Sequence, residues 1–490
     1  MPDELSNELS LDPEDWESFR ELAHRMVDTM ILEAQTFRER PAWAQAPAEI
    51  QDRLSSEPLP IAGQGEAEVF DQFLSDVLPY GNGNRDPRFL GWVQGTGFPL
   101  AMLADMLAAG MNPHMAGSNQ NPVLVETKVV EWFRDAMDFP MGASGLLLSG
   151  GSMANFTALA VARNARAGFD VRQQGLQESP LMTIYGSSET HSWAKKAVEV
   201  LGLGNRSYRR VAVSSDFRMD VQELRSAVNL DLAAGHRPIA VIATAGTVNT
   251  GATDDLNAIA DLCAEFGLWM HVDGAFGALA AISPKLRDTV AGMERADSVA
   301  FDLHKWMYMP FEIACLLVRD GDTHRATFSQ SASYIATTER GVSAGGFRFA
   351  EMGLELTRGF KALKAWMSLK AYGFSKFAAL IEQNVEQAQY FASRISDEPE
   401  LELIADVPLN IVCFRYRGID LDGDQLNSVN KELLLRIQER GIAVPSSTVI
   451  GDAFCLRVCM SNHRTRRGDL DGLVEAIVAI GRELVEPLKR

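Results

Sequence analysis

The sequence predicts an α/β protein with a mostly parallel central sheet that is covered by helices. Between about residues 86 and 375, short apolar runs alternate with helical patterns, and four such runs are residues 239–243, 268–272, 298–301 and 313–318. Residues 254–266, between the first two runs, have a helical spacing of apolar residues. Such alternation is typical of parallel sheets, in which ligands bind beyond the carboxyl ends of the strands.

Residues 1–85 are predicted to form an N-terminal helical segment. Asp12 and Pro13 fit a capping residue and a first-turn proline, and apolar residues then recur at helical spacing: Trp16, Phe19, Leu22, Met26 and Met30. This helix either packs on the core or forms an arm against a second subunit, and periodicity does not separate the two. The turn signal in residues 81–84, Gly-Asn-Gly-Asn, places a boundary near residue 85.

Residues 376–490 are predicted to form a smaller α+β domain, which leaves residues 86–375 as the large domain. A long helical pattern covers residues 374–395, and apolar strands follow at residues 410–414 and 454–458. A closing helix is predicted near residues 470–484.

Composition excludes several classes of function. The 490-residue chain has a formal net charge of -19 and no extended Lys/Arg cluster, which argues against a nucleic-acid partner. No run reaches the roughly 20 apolar residues of a membrane span, and the N-terminus is acidic rather than signal-like, so we expect a cytoplasmic protein. The five cysteines are scattered through apolar runs and are predicted to be reduced core thiols.

Two strand ends carry the most informative residues of the chain. One apolar run ends in His271-Val272-Asp273, and another leads into Asp302-Leu303-His304-Lys305-Trp306. A lysine can form a Schiff base with an aldehyde, and an aspartate can keep a pyridine nitrogen protonated. The pair therefore predicts a pyridoxal 5'-phosphate site and amino-acid chemistry.

A glycine turn is the candidate phosphate cradle. The apolar run that ends at Leu148 breaks at Gly150-Gly151-Ser152 and leads through Met153 into an alanine-rich helix. Backbone N–H groups at such a helix start attract anions, and Ser152 adds a hydroxyl. Many strand-to-helix turns use glycine only for tight packing, so this motif gains its weight from Lys305 and Asp273.

Three further residues have both a functional and a plain interpretation. His191, just before a helix, is either a helix-entry residue or an aromatic ring that covers one face of the cofactor and handles a proton. His304 is a candidate for proton handling or phosphate contact. Thr247 follows a strand and either meets the edge of the cofactor ring or serves only the turn.

Other motifs do not indicate other chemistries. Cys455 and Cys459 lie in an apolar strand-like segment and are predicted to pack in the core, so no metal site is expected. The glycine pairs around residues 82 and 203 lack the third glycine of a dinucleotide fingerprint, and no Gly-Xaa-Ser-Xaa-Gly elbow surrounds Ser149 or Ser152.

Together these motifs resemble the group II pyridoxal phosphate-dependent decarboxylases, which include the aromatic-L-amino-acid, histidine and glutamate decarboxylases. The resemblance rests on residues 149–155, His191, residues 271–275 and residues 304–306, and it extends over nearly the whole chain. It also includes residues 86–89, 101–107, 121–123 with Glu126, and 358–366.

The resemblance implies fold type I, an obligate homodimer and a set of residue roles. Lys305 would form the Schiff base, Asp273 would bind the pyridine nitrogen, and Ala275 and His191 would cover the two ring faces. Gly151, Ser152 and Met153 would line the phosphate, with Asp302, His304 and Thr247 also near the cofactor. Residues 89–98 would face the substrate, so Trp92, Gln94 and Phe98 either shape specificity or are ordinary core and turn residues.

The sequence departs from its best-known relatives at three positions. Amine-forming aromatic decarboxylases carry a tyrosine in a lid that protonates the substrate carbon, and counting back from Arg358 places this position at or near Phe349, with Phe347 close by. Neither has a hydroxyl. Asp302 stands where some relatives have asparagine, and because a carboxylate facing a phosphate is unfavourable we expect it to hydrogen-bond elsewhere. Asp86 stands where a histidine is usual.

Three functional hypotheses follow. The first is a decarboxylase that converts an L-amino acid, with an aromatic one favoured by the aromatic residues of 89–98, into an amine and carbon dioxide. The second is an aldehyde synthase, since a phenylalanine at the lid position accompanies oxidative deamination in some relatives. The third is a non-catalytic binding protein that has kept the fold, which an intact Lys305 disfavours.

Overall fold

A computed structural model describes residues 9–489 apart from 118, 178, 331–338, 343, 345–347 and 419–420. The helices are α1 Trp16–Gln35, α2 Ala48–Ser55, α3 Glu66–Gln72, α4 Pro99–Met111, α5 Asn121–Ala136, α6 Gly151–Arg166, α7 Val171–Gln174, α8 Trp193–Val200, α9 Val221–Ala233, α10 Leu256–Phe266, α11 Leu303–Trp306, α12 Gly321–Phe328, α13 Ala362–Asp397, α14 Gly423–Glu439 and α15 Arg467–Val485. The strands are β1 Ser144–Leu148, β2 Met182–Ser187, β3 Tyr208–Val211, β4 Arg237–Thr244, β5 Trp269–Asp273, β6 Ser298–Asp302, β7 Ala314–Val318, β8 Leu401–Leu403, β9 Ile411–Tyr416, β10 Ser446–Ile450 and β11 Ala453–Cys459.

The large sheet confirms the predicted α/β class. Its strands lie in the order β1-β7-β6-β5-β4-β2-β3, and β7 alone runs against its two neighbours. The four predicted apolar runs are β4, β5, β6 and β7, and β5, β6 and β7 are buried along their whole length. Strands that are covered on both faces are expected to be continuously apolar, which is why these runs could be recognised.

The strand order brings distant parts of the chain to one edge of the sheet. The carboxyl ends of β5 and β6 are neighbours, β1 ends two strands to one side of β6, and β2 ends two strands to the other side of β5. The loops that follow β1, β2, β5 and β6 therefore meet in one region.

The C-terminal part forms a second sheet with the strand order β10-β11-β9-β8, in which every pairing is antiparallel. The predicted strands correspond to β9 and β11, and the predicted closing helix is α15. The predicted long helix begins earlier, at Ala362, but is interrupted at Gly373, whose φ of 69° and ψ of 159° are not helical. The helical pattern from residue 374 therefore predicted only the second segment of α13.

The N-terminal helix differs from prediction in its cap. Asp15, not Asp12, caps α1, because its carboxylate accepts hydrogen bonds from the N–H groups of Glu17 and Ser18 at 3.0 and 3.3 Å. Of the predicted apolar stripe only Leu22 is buried, and Trp16 stays 60% exposed. No helix in the described part of the chain combines the length and the apolar character that a bilayer crossing requires.

Candidate active site

A cavity of about 620 Å³ opens at the carboxyl edge of the large sheet. Most of the residues predicted for the site line it: Trp92, Gln94, Gly151, Ser152, Met153, His191, Asp273, Ala275, Asp302, His304 and Lys305. They come from five separate segments of the chain. The cavity volume falls in the range of about 300–1,000 Å³ that is usual for cofactor and small-molecule sites.

Asp273 is the last residue of β5 and is almost fully buried. The indole Nε1–H of Trp193 donates to its Oδ2 at 2.5 Å, and the N–H of Ala275 donates to its Oδ1 at 3.2 Å. Both oxygens are thus held in place, because a buried carboxylate is costly unless it is hydrogen-bonded. The carboxylate lies in the cavity wall in a fixed orientation.

Lys305 lies in the single turn of α11, directly after β6. Its Nζ lies 3.0 Å from Oδ2 of Asp302, the last residue of β6. Lys305 is partly open to the cavity, whereas Asp302 is buried. The ion pair with Asp302 therefore holds the amine of Lys305 at the cavity wall.

Asp302 has only part of its hydrogen-bonding capacity satisfied. Its Oδ1 is buried and has no hydrogen-bond partner in the described residues, and its Oδ2 lies 3.7 Å from Nε2 of His304. The sequence predicted that Asp302 would hydrogen-bond away from the cofactor phosphate, and in the structure its carboxylate forms the ion pair with Lys305. His304 donates from Nδ1 to the carbonyl of Ile313 at 2.9 Å, and burial lowers the pKa of its imidazole although Asp302 acts in the opposite direction.

The glycine turn lies directly over Asp302. Gly150 has an extended backbone and precedes Gly151, the first residue of α6. A Cβ atom on Gly151 would lie 2.9 Å from Oδ2 of Asp302, so a side chain at this position would displace the carboxylate. The close approach explains the glycine and leaves the first N–H groups of a 16-residue helix at the cavity wall.

His191 lies between β2 and α8 and its ring is exposed in the cavity. Its Nδ1 accepts a hydrogen bond from the N–H of Trp193 at 3.3 Å. The pKa of His191 is lowered, chiefly by partial burial, while the carboxylates of Asp273 and Asp302 oppose that change. The imidazole is accordingly neutral at pH 7 and can accept or pass on a proton.

Two predicted residues do not line the cavity. Thr247 is buried in a turn, and its hydroxyl lies 3.0 Å from the hydroxyl of Thr250. The N–H of Ala252 donates to the Thr247 hydroxyl at 3.1 Å. These contacts fit the turn interpretation of Thr247, whose contact with the cofactor edge stays a prediction, and Thr244 lines the cavity. Phe98 faces a separate cavity and packs against Phe377, because it is the residue that directly precedes α4.

The predicted lid residues lie elsewhere or outside the described residues. Phe349 is 1% exposed, and the guanidinium of Arg358 lies 5.0 Å from the centre of its ring. Arg358 in turn forms a buried ion pair with Glu126 at 2.5 Å. The ring of Phe349 thus packs in the core, and its place at the lid stays a prediction. Phe347 lies outside the described residues.

A buried polar network beneath Asp273 was missed from the sequence. The Nε1–H of Trp269 donates to the hydroxyl of Ser298 at 2.8 Å. This hydroxyl lies 2.9 Å from Nδ1 of His271. On the other side of the ring, Nε2 of His271 lies 2.7 Å from Oδ1 of Asn155. Burial lowers the pKa of His271 to about 4. A neutral His271 donates from Nε2 and accepts at Nδ1, which satisfies every member. Asn155 and His271 stood in recognised motifs, but their connection through Ser298 had no signature in the sequence.

The described residues contain no group of three or more His, Cys, Asp or Glu side chains arranged to hold a metal ion. The cationic and anionic groups at the cavity instead suit an organic cofactor with a basic ring nitrogen, an aldehyde and a phosphate. Asp273, Lys305 and the turn at Gly151 respectively match these three groups.

Comparisons with known proteins agree with this chemistry. The family model described as the pyridoxal-dependent decarboxylase conserved domain matches residues 49–417. An aromatic-L-amino-acid decarboxylase from Bacillus atrophaeus is 32% identical over 473 residues, which cover 96% of each chain. A phenylacetaldehyde synthase from Petunia hybrida is 25% identical over 91% of this chain and 90% of its own.

A solved structure shows the same fold. The crystal structure of Oryza sativa TDC with PLP and tryptamine superposes with a TM-score of 0.89, at 24% identity, over 97% of this chain and all of the other. The family model covers well over half of the residues. The chain therefore belongs to the pyridoxal-dependent decarboxylases, as an enzyme of fold type I whose cofactor is pyridoxal phosphate.

Proposed function

We propose that this enzyme decarboxylates an aromatic L-amino acid and releases the amine and carbon dioxide. The observation that carries the proposal is the single cavity in which Lys305 and Asp273 share the wall with Trp92. Lys305 and Asp273 provide the groups for the cofactor, and the indole provides an apolar surface for an aromatic side chain. The aromatic-L-amino-acid decarboxylase of Bacillus atrophaeus supports the same substrate class.

The residues present fit the cofactor at each of its polar groups. Asp273, fixed by Trp193, would face the ring nitrogen, and Ala275 and His191 would lie against the ring. The turn at Gly151, with Ser152 and Met153, would hold the phosphate. When bound, pyridoxal phosphate supplies an electron sink for the carbon that loses the carboxylate.

The chain itself contributes orientation and proton handling. Lys305 carries the amine that would hold the cofactor through its aldehyde. Oδ2 of Asp302 lies 3.0 Å from Nζ of Lys305. Nε2 of His304 lies 3.7 Å from the same oxygen. His191, exposed in the cavity and neutral at pH 7, is the residue we assign to stacking and to passing a proton toward the substrate carbon.

Trp92 is held in an unusual backbone conformation at the substrate side of the cavity. Its φ of 51° lies in the left-handed region, which a bulky residue rarely adopts. The Ser446 hydroxyl accepts from its N–H at 3.1 Å, and Nη1 of Arg457 donates to its carbonyl at 3.0 Å. Two residues of the C-terminal sheet thus hold the backbone of Trp92 at the cavity wall, beside Gln94, which supports a role for Trp92 and Gln94 in specificity.

A second candidate function is aldehyde synthesis, which adds oxidative deamination to decarboxylation. The specific observations are the phenylalanines at residues 347 and 349 and the similarity to the phenylacetaldehyde synthase of Petunia hybrida. Because Phe349 is buried, Phe347 is the better candidate for the lid position. Membership of an enzyme family, with Lys305 intact, argues against the third hypothesis of a non-catalytic binding protein.

Two further expectations belong with this proposal. The exposed apolar residues of α1, such as Trp16 and Leu32, support its role as an arm against a second copy in a homodimer. The five cysteines are all free and buried, which supports a reducing compartment such as the cytoplasm.

The substitution Lys305→Ala tests the cofactor assignment. We expect the variant to lose the visible absorbance of the covalently held cofactor and at least 1,000-fold in activity, roughly the loss seen when a covalent catalyst is removed. Lys370→Ala, which removes an exposed lysine on α13, is the matched control and should keep both. An unchanged absorbance band in Lys305→Ala would refute the assignment of this lysine.

A product assay tests the reaction and the substrate. A panel of L-amino acids is incubated with the loaded enzyme while carbon dioxide release and oxygen uptake are followed. Amine without oxygen uptake, fastest with an aromatic amino acid, is the expected result. Aldehyde with ammonia and peroxide would instead establish the aldehyde synthase, and a fastest reaction with a charged amino acid would contradict the role given to Trp92.

A further inference from the structure

Two arginine side chains flank one aromatic ring near the N-terminal helix. The guanidinium carbon of Arg464 lies 5.0 Å from the centre of the Phe37 ring, and that of Arg85 lies 5.3 Å from the same centre. Nη1 of Arg464 is buried and has no hydrogen-bond partner among the described residues. Burial and the charge of Arg85 lower the pKa of Arg464 to about 10.

The surrounding carboxylates do not neutralise this pair. Glu33 lies 3.3 Å from Arg85 but forms its shorter ion pair with Arg40, at 2.5 Å. Asp86 pairs with Arg88, and Asp469 pairs with Arg38. Five arginines thus share three carboxylates in a chain whose net charge is -19. Burying a cation is costly unless an anion or hydrogen bonds compensate it, and this group has two carboxylates fewer than arginines.

Both arginines line a cavity that is otherwise largely apolar. Its volume is about 230 Å³, and its remaining wall includes Met30, Phe98, Met102 and Phe311. This volume is below the range of about 300–1,000 Å³ that is usual for drug-sized ligands, so it suits a smaller molecule. A carboxylate with a compact apolar body would place its charge at the guanidinium groups and its body against these side chains.

We propose that Arg464 and Arg85 form a binding site for a carboxylate, separate from the decarboxylation site. A guanidinium binds a carboxylate through two parallel N–H···O bonds, and the ring of Phe37 keeps both guanidinium planes in place. The carboxylate comes either from a free small molecule or from an Asp or Glu side chain of a second copy of the chain. The inference does not depend on the substrate or the product of the enzyme.

The site shares a wall with the backbone of the active site. Residues 95–97 line the carboxylate cavity, while the preceding Gln94 lines the larger one. Gly95 packs so closely on the carbonyl of His304 that a Cβ atom there would overlap it. The two cavities are therefore separated by a single stretch of backbone.

Calorimetry on the full, cofactor-loaded chain tests the proposal with benzoate and, as the uncharged isostere, benzamide. Saturable binding of benzoate is expected, with benzamide at least tenfold weaker. Arg464→Gln should weaken benzoate at least tenfold, and Arg464→Lys should lose less because it keeps the charge. Arg436→Gln, which removes a half-buried arginine that pairs with Glu432 on α14, is the control and should bind benzoate as the wild type does.

The second source of the carboxylate is tested by sedimentation of the same variants. If benzoate does not bind because a second copy already supplies the carboxylate, Arg464→Gln should raise the dissociation constant for self-association at least tenfold, and Arg436→Gln should not. Arg85→Gln serves as the second variant, and retained cofactor absorbance shows that each variant is folded. The proposal is overturned if folded Arg464→Gln and Arg85→Gln match the wild type in both measurements.

Discussion

The hydrogen bond from Trp193 to Asp273 is the contact that fixes the most important carboxylate of the proposed cofactor site. The indole nitrogen is 2.5 Å from Oδ2, and both residues are buried. Trp193→Phe keeps most of the ring but leaves this oxygen without its donor. A hydrogen bond to a charged group contributes about 1.5–3 kcal/mol, so cofactor affinity should fall roughly 10- to 100-fold.

Equilibrium titration of the cofactor-free chain with pyridoxal phosphate checks this prediction. Trp366→Phe, on α13 and remote from Asp273, is the control for loss of an indole and should leave the affinity unchanged. Equal affinities of Trp193→Phe and the wild type would mean that Asp273 is oriented by other groups, such as the N–H of Ala275.

Asp302 predicts that cofactor binding is coupled to protons. Its close cation is Lys305, and binding the cofactor would engage that amine and bring a phosphate to the turn at Gly151, directly over the carboxylate. His304 and His191 are the other titratable groups that face it. The adjacent His304, whose pKa is lowered by burial, should therefore take up a proton beside this carboxylate, and cofactor affinity should fall as the pH rises.

The variant Asp302→Asn isolates this effect because it keeps the shape and removes the charge. Calorimetry in two buffers of different ionisation enthalpy should show that the wild type takes up about one proton more than the variant on binding the cofactor. The variant should also bind with a flatter pH dependence. Equal proton uptake by the two proteins would contradict the proposed exchange of partners.

The sequence identified those site residues whose chemistry is unusual for their position. Lys305, Asp273 and His191 are polar groups at the ends of apolar runs, and such groups rarely occur there without a function. Trp193 was missed because a tryptophan at the start of a helix is usually a core residue. Thr247, Phe98 and Phe349 do not line the cavity, and the sequence could not show this because a hydroxyl or a phenyl ring fits a turn or a core equally well.

At the scale of elements, the interruption of α13 is the clearest departure from prediction. Gly373 has φ 69° and ψ 159°, a conformation that is almost exclusive to glycine, and it lies two residues before the predicted domain boundary at 375. A Cβ atom there would meet only Ser375, at 3.7 Å, so space is not the constraint. Gly373→Ala should lower the free energy of unfolding by about 1–3 kcal/mol through backbone strain alone.

Thermal unfolding of the two proteins under one set of conditions checks the prediction for α13. Gly472→Ala is the matched control, since this glycine is exposed inside α15 and has open space around it. That change should leave stability the same or raise it by up to about 1 kcal/mol. A Gly373→Ala protein as stable as the wild type would show that the interruption tolerates a side chain.

The elements that could be predicted are those whose sequence pattern records their burial. β4 to β7 are continuous apolar runs, and α10 and α15 have clear apolar faces. β3 lies at the sheet edge and includes Arg209 and Arg210, so it lacks such a pattern. The reversed direction of β7 has no local signature, because strand direction is set by the connection and not by composition.

At the scale of the whole molecule, three buried histidines predict how stability depends on pH. Burial lowers the pKa values of His271, His324 and His463 to about 4. They lie in β5, in α12 and in the loop before α15, so protonation of these histidines would affect separate parts of the structure. In the unfolded chain a histidine has a pKa near 6.5, so between about pH 6.5 and 4 the unfolded state binds more protons.

The sign of the effect follows from this difference. The free energy of unfolding is highest above about pH 6.5 and decreases as the pH falls toward 4, by up to about 3 kcal/mol for each of these histidines. His271→Gln keeps hydrogen bonding toward Asn155 and Ser298 but cannot be protonated. Scanning calorimetry between pH 7.5 and 4.5 should therefore show a smaller acid shift for His271→Gln than for the wild type. His24→Gln, on the exposed side of α1, should keep the wild-type slope, and an equal slope in His271→Gln would mean that other groups govern acid unfolding.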